Sequence, residues 1–147
     1  MINLAQWIIL PSLVAQNFKN LHVSPPGVAP PQGRRPRWIC DYTWSGVNTS
    51  TIPLVPHEAM QYGRALERFL RHILLADPRY GPIYMLTCDL ADGYYRLNLV
   101  VEDIPKLAVA FLETKNGEPL IALPLVLPMG WRNSGPTFCA QRKRWRT

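Results

Sequence analysis

One stretch of the chain, from His57 to Ala76, has the hydrophobic spacing of a helix. Its apolar and small residues recur at intervals of three and four: Met60, Gly63, Leu66, Leu70 and Ile73. Arginines occupy positions between them, so the pattern predicts an amphipathic helix that packs on a core. Pro56 suits a helix start, and the residue before Pro78 avoids helical geometry, which predicts an end near Asp77.

Two pairs of short apolar runs predict antiparallel hairpins. The extended segment from Leu21 to Pro31 and the run from Arg37 to Tyr42 flank a turn that contains Gln32, Gly33, Arg34 and Arg35. They predict a hairpin with a basic tip. The runs from Leu107 to Leu112 and from Leu120 to Leu125 flank Asn116-Gly117, a strong hairpin signal.

The rest of the apolar pattern predicts two further strands and a helix. Ile83 to Asp89 is an apolar run that ends in an acidic residue, as a strand leading into a turn does. Tyr94 to Val101 alternates apolar and polar side chains, which is typical of a second strand. Trp131 follows a glycine turn, and the residues up to Phe138 are expected to enter a helix. The sum is an α+β protein with antiparallel pairing.

Composition and charge change this picture little. The 147 residues suit one domain, and the 15 prolines are spread along the chain, so long helices should be few. The formal net charge is +6, but four basic residues fall in the last six positions: Arg142, Lys143, Arg144 and Arg146. Most of the affinity for anionic partners that this charge implies would therefore come from the tail.

Cysteine use and hydropathy indicate an intracellular protein, either cytoplasmic or nuclear. Cys40, Cys88 and Cys139 are far apart and lie in apolar runs, without the spacing of a zinc site or a disulfide framework. Buried thiols in a reducing compartment are the simplest interpretation. The uncharged runs at residues 1–18 and 119–131 are interrupted by prolines, so no membrane span is expected.

Asp89 is the sharpest candidate for chemistry. Taken alone, an aspartate after an apolar run is more often a turn former or a helix cap. Here it opens the sequence Asp89-Leu90-Ala91-Asp92-Gly93-Tyr94-Tyr95. This stretch resembles the first carboxylate motif of reverse transcriptases, in which the aspartate binds the two catalytic magnesium ions.

The resemblance assigns a role to most residues of this motif. It implies that Asp89 is a catalytic carboxylate and a Mg²⁺ ligand, and that the Leu90 carbonyl is a second oxygen donor, which suits a hard cation. The amides of Asp92 and Gly93 would hold the triphosphate. Tyr94 would exclude a ribose 2′-hydroxyl by a steric clash.

A second stretch, from Leu127 to Phe138, resembles the next motif of the same family. Gly130 would let the backbone approach the incoming nucleotide and the template base, where a side chain would block it. Met129 stands where many retroviral enzymes have glutamine, so it would contact the sugar by packing rather than by a hydrogen bond. Gly135-Pro136 also departs from the usual Ser-Pro order.

The predicted basic hairpin carries the third part of the resemblance. Arg37, four residues before Asp41, is similar to the fingers arginine that closes over the triphosphate, and a planar guanidinium suits phosphate oxygens. Arg34 or Arg35 would supply a neighbouring contact, or else belong to a solvated turn.

Together these motifs resemble a reverse transcriptase of the long-terminal-repeat retrotransposon type. The implied fold is a partial right-hand polymerase: a fingers hairpin and an incomplete palm sheet with packed helices, in residues 21–139. Residues 1–20 would be a lead-in segment, and residues 140–147 would be a basic tail. The possible codons of this tail permit a plausible helix continuation in another reading frame, which suggests a frameshift. Template–primer of RNA and DNA and deoxynucleoside triphosphates are the implied partners.

The chain contains no Tyr-x-Asp-Asp sequence, which supplies the other metal-binding carboxylates of the family. One carboxylate cannot hold two magnesium ions in register, so the expected function is a polymerase segment that is inactive alone. The alternative is a non-catalytic retroelement remnant or nucleic-acid-binding protein, in which the basic hairpin and tail contact phosphates.

Overall fold

The computed structural model describes residues 6–29, 37–51, 64–87 and 89–144. The strands in this part of the chain are β1 (Trp7–Pro11), β2 (Val23–Ser24), β3 (Pro26–Ala29), β4 (Arg37–Cys40), β5 (Ala108–Ala110) and β6 (Leu120–Pro124). Four of them form a sheet in the order β1-β6-β5-β2, with antiparallel pairing except between β5 and β2. The remaining two form an antiparallel ribbon.

Both predicted hairpins are confirmed where they are described. Strands β3 and β4 pair from Pro26 opposite Cys40 to Ala29 opposite Arg37. The predicted tip, with Arg34 and Arg35, lies outside the described residues. Strands β5 and β6 are joined by a turn in which Gly117 has a φ of 77°, a conformation that glycine adopts without a steric penalty.

The four-stranded sheet has one core cluster on each face. Ile9 and Val109 lie opposite Ala122 in the pairing register, so these three side chains share a face. That face packs on the larger cluster, which includes Tyr42, Leu107, Leu127 and Trp131. Leu123 and Ala108 belong to the cluster on the other side, with Ala15 and Ile121. The segment before residue 21 thus supplies strand β1 to the sheet.

Short helices connect the strands and close the larger core. The α-helices among the described residues are α1 (Ser12–Ala15), α2 (Val47–Ser50), α3 (Ala65–Leu74) and α4 (Ser134–Arg144). One-turn 3-10 helices span Pro78–Tyr80, Tyr94–Arg96, Val101–Asp103 and Pro105–Leu107. Helix α4 confirms the predicted helix after Trp131, and Pro136 stands in its first turn, where a missing N–H costs nothing.

Helix α3 ends at Leu74, three residues before Asp77, close to the predicted end. The predicted first part of this helix, residues 57–63, lies outside the described residues. The apolar side chains do not pack as the sequence pattern predicts: no residue of α3 is buried, and Leu74 is 83% exposed. Leu66 and Leu70 are also exposed. The described part of α3 therefore turns its apolar face to solvent.

The two single strands predicted around Asp89 are wrong. Residues 82–87 lie in neither a helix nor a strand, and all of them are exposed. Tyr94 begins a 3-10 turn instead of a strand, and only Asn98 pairs, in an isolated bridge with Val126. An apolar strand needs neighbours on both edges to satisfy its backbone, and no described residues pair with residues 82–87.

The overall class is mixed α+β, as the sequence predicts. No helix in the described ranges is both long enough and apolar enough to cross a membrane. Cys40 is buried as expected, whereas Cys139 is only partly buried and Cys88 lies outside the described residues.

Candidate functional site

The turn at Met129 and Gly130 presses directly against strand β4. Gly130 has a φ of 96°, and a β-carbon at this position would lie 2.5 Å from the Cys40 carbonyl oxygen. Any side chain here would therefore clash with rigid backbone as well as adopt a disfavoured conformation. Gly130 therefore lies directly against strand β4 of the same chain, and its approach to a nucleotide and a template base stays a prediction.

Asn48, in helix α2, ties this turn to the protein. Its side-chain amide donates hydrogen bonds to the Gly130 carbonyl and to the Thr43 hydroxyl, both at 2.9 Å. Its side-chain oxygen accepts a hydrogen bond from the Arg132 backbone N–H at 2.8 Å. One amide side chain thus holds both sides of the turn. The sequence pattern does not predict this role, because Gly130 and Arg132 lie more than 80 residues away from Asn48 along the chain.

Buried polar residues near the turn also anchor it to the protein. The Ser134 hydroxyl donates to the Pro128 carbonyl at 2.6 Å, and both residues are almost fully buried. Trp131 is also buried, with its indole N–H 3.5 Å from the Thr51 hydroxyl oxygen. Met129 remains 47% exposed. The turn therefore presents Met129 and Gly130 at the surface on a firmly anchored base.

The segment from Asp89 to Gly93 forms an exposed turn. The Asp89 carboxylate accepts a hydrogen bond from the Leu90 N–H at 2.8 Å and is open to solvent. Asp92 has a φ of 55°, a left-handed conformation that aspartate tolerates better than most residues. The Arg96 guanidinium donates to the Ala91 carbonyl at 3.0 Å and closes the turn. This arrangement leaves the Asp89 side chain accessible to a cation.

Gly93 and Tyr94 join this turn to helix α4. A β-carbon on Gly93 would lie 3.1 Å from the Phe138 ring, tighter than ordinary van der Waals contact. The Tyr94 ring packs edge-on against the same Phe138 ring, with centroids 5.4 Å apart and an interplanar angle of 84°. This is the preferred geometry of an aromatic pair. Residues of the motif that begins at Asp89 are therefore in contact with the last residue of the motif that ends at Phe138.

Two tyrosines near this junction have raised pKa values. Burial raises the pKa of Tyr42 far above its ordinary value, and its hydroxyl donates to the Leu107 carbonyl at 2.9 Å. Partial burial, with smaller contributions from Cys40 and Asp92, raises the pKa of Tyr95. Both phenols consequently stay neutral in the range where proteins are usually studied, and they serve as hydrogen-bonding or apolar groups.

The structure brings most of the predicted site residues into one region. Gly93 and Tyr94 meet Phe138, Gly130 meets Cys40, and Met129 lines a pocket with Tyr95 and Cys40. The backbone of Arg37 lies in β4, about 10 Å along the strand from Cys40. Its side chain lies outside the described residues.

Asp89 is tied less closely to this region. Among the hydrogen bonds of the described residues, none joins its carboxylate to Tyr94, Met129 or Gly130. The connection runs through the backbone: the Leu90 carbonyl oxygen lies 3.6 Å from the position of a β-carbon on Gly93. The Leu90 carbonyl and the Asp89 carboxylate therefore flank the same turn.

Asp89 and Leu90 offer oxygen donors of the kind that magnesium accepts. Magnesium accepts one or two carboxylates and keeps several waters, so the exposed Asp89 carboxylate and the Leu90 carbonyl are suitable ligands. Within the described ranges, no group of three or more histidine, cysteine, aspartate or glutamate side chains is placed to hold a metal.

No protein-family model matches the sequence. A search of curated proteins also found no significant match. The family resemblance accordingly depends on the motifs themselves and on the contacts between them.

Proposed function

We propose that this chain is the nucleotide-binding segment of an RNA-directed DNA polymerase of the reverse transcriptase type, from a long-terminal-repeat retrotransposon. The contact between Tyr94 and Phe138 carries the proposal, because it joins the motif that begins at Asp89 to the motif that ends at Phe138. The approach of Gly130 to Cys40 adds the strand that begins at Arg37. Ribbon β3–β4 would then be the fingers hairpin, and the four-stranded sheet part of the palm.

In this proposal the exposed Asp89–Gly93 turn holds the triphosphate end of a deoxynucleotide. Asp89 and the Leu90 carbonyl hold Mg²⁺, which neutralises phosphate oxygens when it is bound. The backbone amides of Asp92 and Gly93 would bind the triphosphate, and Arg37, at the start of β4, is assigned the role of a phosphate contact. The exposure of Asp89 supports this assignment, since a buried carboxylate could not meet a hydrated ion.

The sugar and base would lie between Tyr94 and the Met129–Gly130 turn. Tyr94 is braced by Phe138, so its ring cannot turn aside easily to admit a 2′-hydroxyl. Gly130 offers backbone without a side chain, and Met129 offers a half-exposed apolar surface. Both features suit stacking and packing contacts better than hydrogen bonding.

The same reasoning predicts binding without chain extension. Polymerase chemistry uses two metal ions to position both the attacking and the leaving oxygen, and these 147 residues contain no adjacent pair of aspartates. The 147-residue chain alone should therefore not extend a primer. Its measurable activity should be magnesium-dependent binding of deoxynucleoside triphosphates.

A titration with fluorescently labelled dUTP tests the proposal. Wild-type chain should bind it only with Mg²⁺, and Asp89→Asn should weaken binding by about tenfold or more because a neutral amide is a poor magnesium ligand. Glu102→Gln is the matched control, since Glu102 is exposed and lies outside the motif. Equal weakening by both variants, or binding indifferent to Mg²⁺, would refute the proposed site.

The end of helix α4 favours a second function, as a nucleic-acid-binding protein. The described part of the helix extends to Arg144, so its backbone includes the basic residues Arg142, Lys143 and Arg144. Such a protein would bind single-stranded RNA with strong salt dependence and without need of Mg²⁺ or Asp89. If the titration fails and salt-sensitive RNA binding is found, this second function is the correct one.

A further inference from the structure

An apolar pocket opens on the face of the main sheet that carries Ala122. Ala122 is the smallest side chain on that face, and its neighbours in the register are Ile9 and Val109. Trp7 stands two residues before Ile9 on the same face, and Phe111 stands two residues after Val109. A small residue ringed by large ones leaves a hollow of about 220 Å³.

Residues from three other segments complete the walls of this pocket. Cys40 comes from β4, Tyr95 from the turn after Gly93, and Met129 from the tip held by Asn48. Exposure changes with depth: Ala122 and Cys40 are 3% and 7% exposed, whereas Ile9 and Met129 are both 47% exposed. The pocket therefore has a buried floor and an open mouth, the form of a binding site rather than a packing defect.

The side chains that line the pocket indicate which kind of ligand it can bind. None of the described lining residues is lysine, arginine, aspartate or glutamate, so a charged group would lose its hydration without compensation. Trp7, Tyr95 and Phe111 offer aromatic rings, and Met129 and Cys40 offer polarisable sulfur, which packs well on ring edges. The volume exceeds the ~150 Å³ of an apolar protein cavity that accepts benzene.

We propose that this pocket binds an uncharged aromatic molecule of one or two rings. The floor of this pocket lies on the sheet and not on the Asp89 turn, so it shares only Met129, at its mouth, with the proposed nucleotide site. Tyr95 forms part of the pocket wall.

Methyl NMR with indole as the probe tests the proposal on the whole chain. Indole should shift the methyl signals of Ile9 and Met129 saturably, with a dissociation constant below about 1 mM. Indole-3-acetate, which adds a carboxylate to the same ring, should bind at least about tenfold more weakly. Linear shifts of equal size at exposed Leu74 and Leu86 would mean surface adsorption and would overturn the proposal.

Substitutions at the floor locate the site. Ala122→Leu should fill the hollow and abolish the saturable shifts, whereas Ala110→Leu, on the opposite face of the same sheet, should leave indole binding unchanged. If Ala122→Leu does not fold, Ile9→Ala removes part of the mouth and should weaken indole binding severalfold. Unchanged binding in the folded variants would refute the assignment.

Competition separates this site from the proposed nucleotide site. Excess dUTP with Mg²⁺ should leave the indole-dependent shift of Ile9 in place. Displacement of indole would instead assign the pocket to the nucleotide and overturn a separate aromatic site. Indole binding in a chain that fails to bind dUTP would support the pocket and refute only the polymerase proposal.

Discussion

The Cys40 carbonyl oxygen occupies the space that a β-carbon on Gly130 would need, with 2.5 Å between the two positions. This approach fixes the Met129–Gly130 turn against strand β4. It joins a motif near residue 130 to a hairpin that ends at residue 40. Together with the Asn48 hydrogen bonds, this contact sets the position of the turn in the candidate site.

Gly130→Ala should destabilise the fold by about 2–4 kcal/mol, because the new methyl group meets rigid backbone and φ is positive. Gly117→Ala is the matched control: its φ is also positive, but open space surrounds its β-carbon position. The control should lose only about 1 kcal/mol. Urea denaturation measures the free energy of unfolding of both variants. Equal losses would show that the clash with the Cys40 carbonyl does not contribute to the destabilisation.

Asn48→Ala should destabilise the chain by roughly 2 kcal/mol, because it removes the bonds to the Gly130 carbonyl and the Arg132 N–H. Asn48→Asp keeps the acceptor for Arg132 but loses the donors, so it places a carboxylate against the Gly130 carbonyl. Hydrogen exchange at the Arg132 amide should rise in the alanine variant and stay slow in the aspartate variant. Similar exchange in both would contradict the assigned bonds.

Tyr42→Phe should change the alkaline stability of the protein. Burial raises the pKa of Tyr42 in the folded chain above its ordinary value of 10.0. Below pH 10 the phenol is neutral in both states, and its stabilising contribution is complete. Above pH 10 only the unfolded chain ionises, so stability falls with rising pH.

The variant should lose about 1 kcal/mol at pH 7 with the bond to Leu107, and its stability should fall less steeply above pH 10. Tyr80→Phe is the control, since Tyr80 is 89% exposed and its removal should change neither quantity. Denaturation midpoints between pH 7 and 11 measure the difference. If the stability of Tyr42→Phe fell with pH above 10 as steeply as that of the wild type, the buried Tyr42 phenol would not be the cause of the alkaline loss of stability.

Phe138→Ala should loosen Tyr94, because the edge-on contact is lost. If Tyr94 excludes the 2′-hydroxyl, the preference for dUTP over UTP should fall severalfold in this variant. Phe69→Ala, at an exposed position of α3, should keep the preference of the wild type. Competition binding with the two nucleotides measures it, and an unchanged ratio in Phe138→Ala would remove the basis for the proposed gate.

Leu86→Glu should reduce self-association at no cost in stability. Leu86 is 88% exposed in a run whose neighbours Tyr84 and Met85 are also exposed, and exposed apolar runs promote aggregation. Static light scattering against protein concentration measures the effect. Thr87→Glu is the control, because it adds the same charge next to Leu86 but keeps the leucine side chain. An equal reduction in self-association by both variants would show that charge alone is responsible.

Local patterns were sufficient to predict part of the fold. The Asn116-Gly117 turn and its flanking runs predicted β5 and β6, and the run from Arg37 predicted β4, because hairpins depend on turn residues and alternation that neighbouring positions supply. The helix after Trp131 was also predicted from neighbouring positions, because it follows the turn at Gly130. Gly130 was recognised as a position where only glycine fits, although its contact was not.

Tertiary structure decided the rest. The apolar residues in the segment 83–87 predicted a strand, and those in α3 predicted a packed helix, yet both segments are exposed. A hydrophobic pattern shows which side chains a segment could bury, but it does not show whether another segment is there to pack against them. Strand β1 and the Asn48 clamp escaped prediction because each depends on a contact more than 80 residues distant. Sequence alone determined the turns, the class and the motifs, while long-range packing determined which motifs meet.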